Sequence, residues 1–267
     1  MTVSTMSDKA KTLRKLFTDK HIIGNVVYPV IGIGVVLLFW YLLSVIVGIE
    51  MILPSPARAF EEFFALFSES DFWTAVSGTM LRTLTAFGIA FALAAVTSTL
   101  SVFVEPVGRI LSPIITILRS IPTMSIILIA IIAFKPTESP ILVTFLISYP
   151  LLHASFSHAI TNVDPFIVNM SKVFKVPVYK RIFKMYIPAM LPEVLTAVGS
   201  NISLALKVMI ASEVLAQTFE SMGVAMQIQR IYLNTAGLMG WTIAAIVLSF
   251  LLEIAVKLIA LVFVRRK

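Results

Sequence analysis

Four cations lie within stretches apolar enough to cross a membrane: Arg82, Arg119, Lys207 and Lys257. Two acids, Glu213 and Glu253, share those stretches. A charge in hydrocarbon is costly, so such residues face protein or a water-filled path. Lys207 and Glu213 stand six positions apart on one predicted helix, which places them on different faces. Both, together with Arg119, are candidates for lining a translocation path. The plainer alternative is that Lys207 snorkels or pairs with another helix and that Glu213 lies near an outer edge. Glu253 and Lys257, acid first and four apart, fit a structural pair on the last predicted span. Arg82 and Arg119 suit partner helices or lipid headgroups. His153 and His158 have no carboxylate or Cys cluster beside them, and the chain has no cysteine. The expectation is therefore no metal site, no disulfide and no catalytic residue. A membrane-embedded enzyme would need acid, base, nucleophile or metal converging at one depth, and these ions are scattered.

A second group of charges is concentrated. From Asp164 to Pro192 the chain reads DPFIVNMSKVFKVPVYKRIFKMYIPAMLP and carries Lys172, Lys175, Lys180, Arg181 and Lys184. Asp164 is a good N-cap and Pro165 can open a helix. Phe166, Ile167, Met170, Val173 and Phe174 recur at helical spacing. Pro177 disfavours helix at Val176 and can start a second helix. Pro188 and Pro192 are expected to bring the chain back toward the membrane. The product is two short helices with a kink, basic on one side and apolar on another. Anchoring to anionic lipid would explain the charge alone. The punctuation between helices favours an element that docks onto a soluble partner.

These residues must be positioned by membrane helices. Of 267 residues 58% are hydrophobic and 13% charged, a composition suited to a polytopic membrane protein. A spanning helix needs about 20 mostly apolar residues. Six stretches qualify: Tyr28 to Gly48, Val76 to Val102, Leu111 to Phe134, Pro140 to Ile160, Leu195 to Ala216, and Leu238 to Val264. Residues 1–27 form a cytoplasmic N-terminal segment and 28–267 one transmembrane domain, with the basic loop at 161–192. The first apolar run is too long for a signal-peptide core and is expected to stay as a span.

With both termini inside, fourteen of the 21 lysines and arginines are cytoplasmic. Arg58, Lys135 and Arg230 are outside, and four lie within spans. That bias supports the orientation and argues against a nucleic-acid partner for a net charge of +7. Residues 9–20, with Leu13, Leu16 and Phe17 on one face, suit an amphipathic helix on the membrane surface. The loop beginning LPSP suits another, with Phe60, Phe63, Phe64 and Phe67 at helical spacing. Gln217 to Gly237 is semi-apolar and has two readings, a re-entrant extracellular gate or a surface loop with a helical turn. The small residues of Ala86 to Ser98 suit close helix packing or a dimer face.

The basic segment resembles the signature cytoplasmic loop of ATP-binding-cassette importer permeases, the EAA loop. The closer resemblance is to the branch for nitrate, sulfonate, taurine and related small molecules. Further motifs follow in order. They are Leu53 to Pro56, Met80 to Phe87, and Glu105 to Ser125 with its Arg119-x-Ile121-Pro122. Then come Val163-Asp164-Pro165, Ile187-Pro188-Ala189-x-Leu191-Pro192 and Ala211-Ser212-Glu213, with Gly223, Ile231-Tyr232 and Trp241 last. The resemblance covers roughly residues 30–260. Single motifs are weak, and their order and spacing are strong. Two departures stand out. Asn169-Met170-Ser171 replaces the usual Glu-Ala-Ala, and Lys175 replaces the usual turn glycine. Either Lys175 accepts a left-handed backbone or Pro177 makes the break with another shape.

The resemblance implies an all-α type I importer permease of about six spans in a bacterial cytoplasmic membrane. It implies cytoplasmic ATPase subunits, an extracytoplasmic solute-binding protein and a second permease copy, a homodimer being the expectation. It also implies that Asp164, Pro165, Asn169, Ser171, Phe174, Lys175, Pro177, Tyr179, Lys180, Arg181 and Pro188 form the ATPase-coupling loop. No Gly-x-x-x-x-Gly-Lys-Ser/Thr phosphate loop occurs, so ATP and Mg belong to the partner ATPase and this chain is not itself an enzyme. The solute expected is small and polar or anionic: nitrate, a sulfonate, taurine or a thiamine precursor. A self-sufficient secondary carrier or channel is the alternative, and a membrane enzyme a weaker one.

Overall fold

The computed structural model describes residues 27–264. The expected surface helix over 9–20 and the basic residues after 264 lie outside that range. Among the described residues the chain is all helical, without a strand. Among the described residues five helices are long and apolar enough to cross a membrane, and a bent helix pair passes the same test only when its two halves are taken together.

Helix α1 (Tyr28–Val47) has Pro29 in its first turn and stops at Gly48, whose φ of 63° is the left-handed turn glycine tolerates. It buries none of its residues within the chain. Its far end alone is tied down: Trp40 Nε1 donates to Pro54 O at 3.1 Å and Ser44 Oγ to Leu53 O at 3.2 Å. Ser55 caps α2 (Pro56–Leu66) by accepting from Arg58 N. The phenylalanine stripe of α2 divides: Phe63 is buried with Leu66 and Ala59, while Phe64 stays exposed. The buried half packs on Trp241 and Ala244 of α11 (Thr235–Val264), so α2 is part of the core and not only an interfacial helix.

The centre is built from α3 (Ser70–Phe103), α6 (Ser139–Thr161) and α9 (Ile187–Ala216). Ala86, Ala90, Ala94 and Ser98 recur every four residues along α3 and are buried. They let α6 approach closely with Leu152, Phe156 and Ala159. That small-residue face is thus used for packing within the chain. Two polar pairs sit in this seam. Tyr149 Oη donates to Thr97 Oγ1 at 3.2 Å, and Ser101 Oγ lies 3.2 Å from His153 Nε2.

The third expected span, Leu111 to Phe134, is not one straight helix. It divides into α4 (Glu105–Ser120) and α5 (Thr123–Ala133), bent by 94°. The cause is local. Ile121 precedes Pro122 and takes an extended ψ of 128°, and Pro122 follows at 130°. A residue before proline avoids the helical region, so the two helices meet at a corner.

The fifth span also starts earlier than expected. Short α8 (Val178–Arg181) runs through a π turn, Ile182–Tyr186, directly into α9. Pro188 is the second residue of α9, directly after the π turn, and Pro192 is carried inside the helix. These prolines therefore do not turn the chain; the helix continues through them.

Candidate functional site: the basic loop, the far-end clamp and the lysine groove

Three places hold the residues singled out above. The first is the basic loop. Asp164 caps α7 (Pro165–Val173), its Oδ1 accepting from Phe166 N at 2.8 Å. The helix ends at Lys175, whose φ is 48°. Val176 N donates to Ser171 O at 3.0 Å, the six-residue closure that follows a left-handed C′ residue. Lys175 therefore accepts the left-handed backbone, at a cost of about 1–2 kcal/mol relative to glycine. Pro177 then opens α8, and Arg181 N donates to its carbonyl. Ser171 is buried and its hydroxyl donates to Val168 O, whereas Asn169 is exposed. The apolar residues face outward: Phe166 is 74% exposed, Val173 77% and Phe174 73%. Tyr179 and Lys180 are exposed as well, and Arg181 and Pro188 are half-buried.

The loop is joined to the helices at both ends. Asn162 N donates to His158 O, continuing α6 into the turn before α7. His158 Nδ1 lies 2.6 Å from Glu193 Oε1 of α9. The Tyr186 ring meets the Phe103 ring at the end of α3, 5.3 Å between centroids and nearly perpendicular. The π turn thus touches α3, and α6 and α9 are bridged beside the loop.

The second place is a buried clamp at the opposite end. Glu213 has no exposed surface. Arg82 Nε donates to its Oε1 at 2.8 Å and Thr79 Oγ1 to its Oε2 at 2.8 Å. Gly223 N reaches Oε2 at 3.4 Å, and Thr79 Oγ1 also accepts from Met222 N at 3.0 Å. Arg82 Nη2 donates to Glu220 O at 2.9 Å. One carboxylate therefore joins α3, α9 and the start of α10 (Met222–Ile231). Two glycines make room: a Cβ at Gly78 would stand 2.5 Å from Glu220 O, and one at Gly223 2.5 Å from Glu213 Cβ. Ser221 caps α10, and Thr218 Oγ1 donates to Pro136 O at 2.7 Å, adding the turn before α6. The segment 217–237 is thereby pinned at its start, while Ile231, Tyr232 and Leu233 remain exposed.

Taken from the sequence, Arg82 suits partner helices or headgroups without a link to Glu213, and Thr79 does not stand out at all. The usable signal is opposite charge at matching depth, near the outer ends of two antiparallel spans.

The third place is a groove of about 490 Å³ between α9 and α11, bordered by Met226 of α10. Lys207 is exposed there, and Glu253 lies on its wall and accepts from Lys257 at 2.8 Å. Arg119 stands apart, exposed on the last turn of α4 just before the corner. The three path candidates are therefore not neighbours in one site. Lys207 lines a groove, Glu213 is enclosed, and Arg119 marks the bend. Among the described residues no group of three or more metal-ligating side chains is found.

Known proteins resemble this chain over most of its length. A probable ABC transporter permease protein of Brucella melitensis is 25% identical over 78% of this chain and 82% of its own length. The bicarbonate transport system permease protein CmpB of Synechocystis is 25% identical over 80% of this chain and 79% of its own. Among solved structures, an inward-facing form of the MetNI methionine ABC transporter aligns with a TM-score of 0.61. It does so at 18% identity, over 72% of this chain and 97% of that one, and so supports the fold. The family described as binding-protein-dependent transport system inner membrane component matches residues 87–267, which takes in the basic loop, the glutamate of the clamp and the lysine groove, and the chain belongs to that family.

Proposed function

We propose that this chain is the permease subunit of an ATP-driven importer in a bacterial cytoplasmic membrane. In this reading it pairs with a second copy of itself and receives solute from an extracytoplasmic binding protein. ATP and Mg act on separate cytoplasmic ATPase subunits. The solute is small and polar or anionic, of the nitrate, sulfonate, taurine or thiamine-precursor class. The bicarbonate in the name of one relative is another small anion.

The observation that carries this reading is the outward-facing apolar stripe of α7, ended by a left-handed turn. Phe166, Val173 and Phe174 are held out on a helix that is capped at its start and closed at its end. A large apolar residue on a rigid, exposed helix suits a groove on a soluble partner. The basic residues around it, Lys175, Lys180 and Arg181, supply charge at the rim. We therefore assign the segment from Asp164 to Pro188 as the coupling loop. Asp164 and Pro165 start its helix, Ser171, Lys175 and Pro177 shape its break, and Phe174 is its anchor. Closure of the ATPases would move α7 and α8, and the contacts at Phe103, His158 and Glu193 would pass that movement to the spans.

Purification of the chain from its native membrane in mild detergent tests this. A co-purifying soluble protein with a phosphate-binding loop, in about equal amount, is expected. Vesicle uptake that needs only an ion gradient and persists without ATP would overturn it in favour of a self-sufficient carrier, and would leave the loop as a lipid anchor.

A further inference from the structure

We propose that the groove between α9 and α11 binds a small organic anion, with its charged head on Lys207 and its apolar body on the groove wall. This rests on the permease reading for its purpose and on the lining of the groove for its place.

The charge comes first. Lys207 lies about nine residues from the end of α9, roughly 14 Å along its axis at ~1.5 Å per residue. Among the described residues no carboxylate lies within 4.0 Å of its Nζ. Glu253, the acid on the same wall, is matched by Lys257. The groove therefore carries one exposed ammonium without a counter-charge among the described residues, on a helix apolar enough to cross a membrane, where an unpaired ion is costly. An anion seated on Lys207 removes that cost.

The hydroxyls narrow the fit. Ser203 Oγ donates to Ser249 O at 3.2 Å and Thr242 Oγ1 to Leu238 O at 2.8 Å, so both hydrogens are committed. The Ser249 hydroxyl makes no hydrogen bond to the described residues and remains a donor for an oxyanion. The remainder of the wall is Ile210, Met226, Ile246 and Phe250. A bare inorganic ion would leave that apolar surface wet in a groove of about 490 Å³. A short alkyl chain bearing a sulfonate or carboxylate would cover it, which favours the organic anion in proportion to area removed from water.

The test uses the full-length chain in phosphatidylcholine nanodiscs, with and without its co-purified ATPase. Fluorine NMR of trifluorobutanesulfonate reads binding as line broadening. Wild type is expected to broaden the line. Butanesulfonate should reverse this, butylammonium should not, and nitrate should be at least about tenfold weaker, the loss of an apolar body. Lys207→Met should lower affinity at least about tenfold and Ser249→Ala about threefold, while Lys207→Arg retains binding, the pattern of a charge-assisted contact. Thermal melting of each variant shows whether the fold survives, and the arginine and serine variants carry the test if Lys207→Met fails to fold. No broadening by wild type, or equal broadening by Lys207→Met, overturns the site. A preference that keeps rising to dodecanesulfonate also overturns it, assigning the groove to lipid. Loss of a dimer in Lys207→Met without any probe binding assigns Lys207 to a carboxylate of the second copy, and likewise overturns the site. Anion binding in a chain that brings no ATPase would leave this site standing and defeat the importer reading alone.

Discussion

The two ends of the helical bundle solve opposite problems. At the far end, both oxygens of the Glu213 carboxylate are paired within the chain, and the partners come from α3 and α10. At the basic end, α7 holds Phe166, Val173 and Phe174 away from the chain that made them. A buried charge must be satisfied where it is, because its desolvation cost exists in the isolated subunit. An exposed apolar stripe can wait, because its gain arises only when something covers it. The clamp is therefore complete within the chain, whereas the apolar stripe of α7 is left uncovered by the described residues.

The largest test of that contrast is removal of Glu213. Glu213→Ala would strand Arg82, which is only 15% exposed, beside α10. A loss of about 3–5 kcal/mol in stability is expected, as for other buried pairs broken on one side. Thermal unfolding in detergent would read it. The double variant Arg82→Ala with Glu213→Ala should recover part of the loss, since no orphan charge remains. A double-variant loss equal to the sum of the two single losses would mean that the clamp is not a coupled pair.

A smaller effect is expected at the opposite end, and of a different kind. Phe174→Asp should leave the melting temperature of the isolated chain nearly unchanged, because the ring is already in solvent. It should weaken association with the ATPase by about 2 kcal/mol, the scale of an aromatic anchor at an interface. Pull-down and ATPase stimulation measure this. A destabilised chain with normal association would reverse the contrast.

The smallest expected change sharpens the shape of the loop. Lys175→Gly relieves the left-handed strain at φ 48° but gives the unfolded chain more freedom, so the net gain at the α7 turn should be about 1 kcal/mol. Hydrogen exchange at Val176 N, which closes that turn, is the direct readout. Faster exchange in the glycine variant would show that Lys175 holds the turn by contacts that the backbone argument omits.

Much of the fold is legible in the chain itself because its causes are short-ranged. Apolar length marks the spans, Asp164 and Pro165 mark the start of α7, and the Glu253 and Lys257 pair follows from helical spacing. The corner at Ile121–Pro122 is also encoded locally, yet the apolar run around it hides the break. Hydropathy averages over a window and is blind to a single residue that refuses the helical region. Pro192 teaches the converse, since a proline that reads as a turn is carried inside a helix.

Sequence alone determined that the chain is built on apolar segments long enough to cross a membrane, and that the basic loop starts at Asp164 and breaks near Lys175 to Pro177. Those properties depend on residues within one or two turns of each other. Tertiary structure decided that Arg82 meets Glu213 across 131 residues, that Ala86 to Ser98 face α6, and that Lys207 stands in a groove without a counter-charge among the described residues. Each of these depends on the rotation and depth of one helix against another, which is fixed by the whole set of packed neighbours and by no single stretch of the chain.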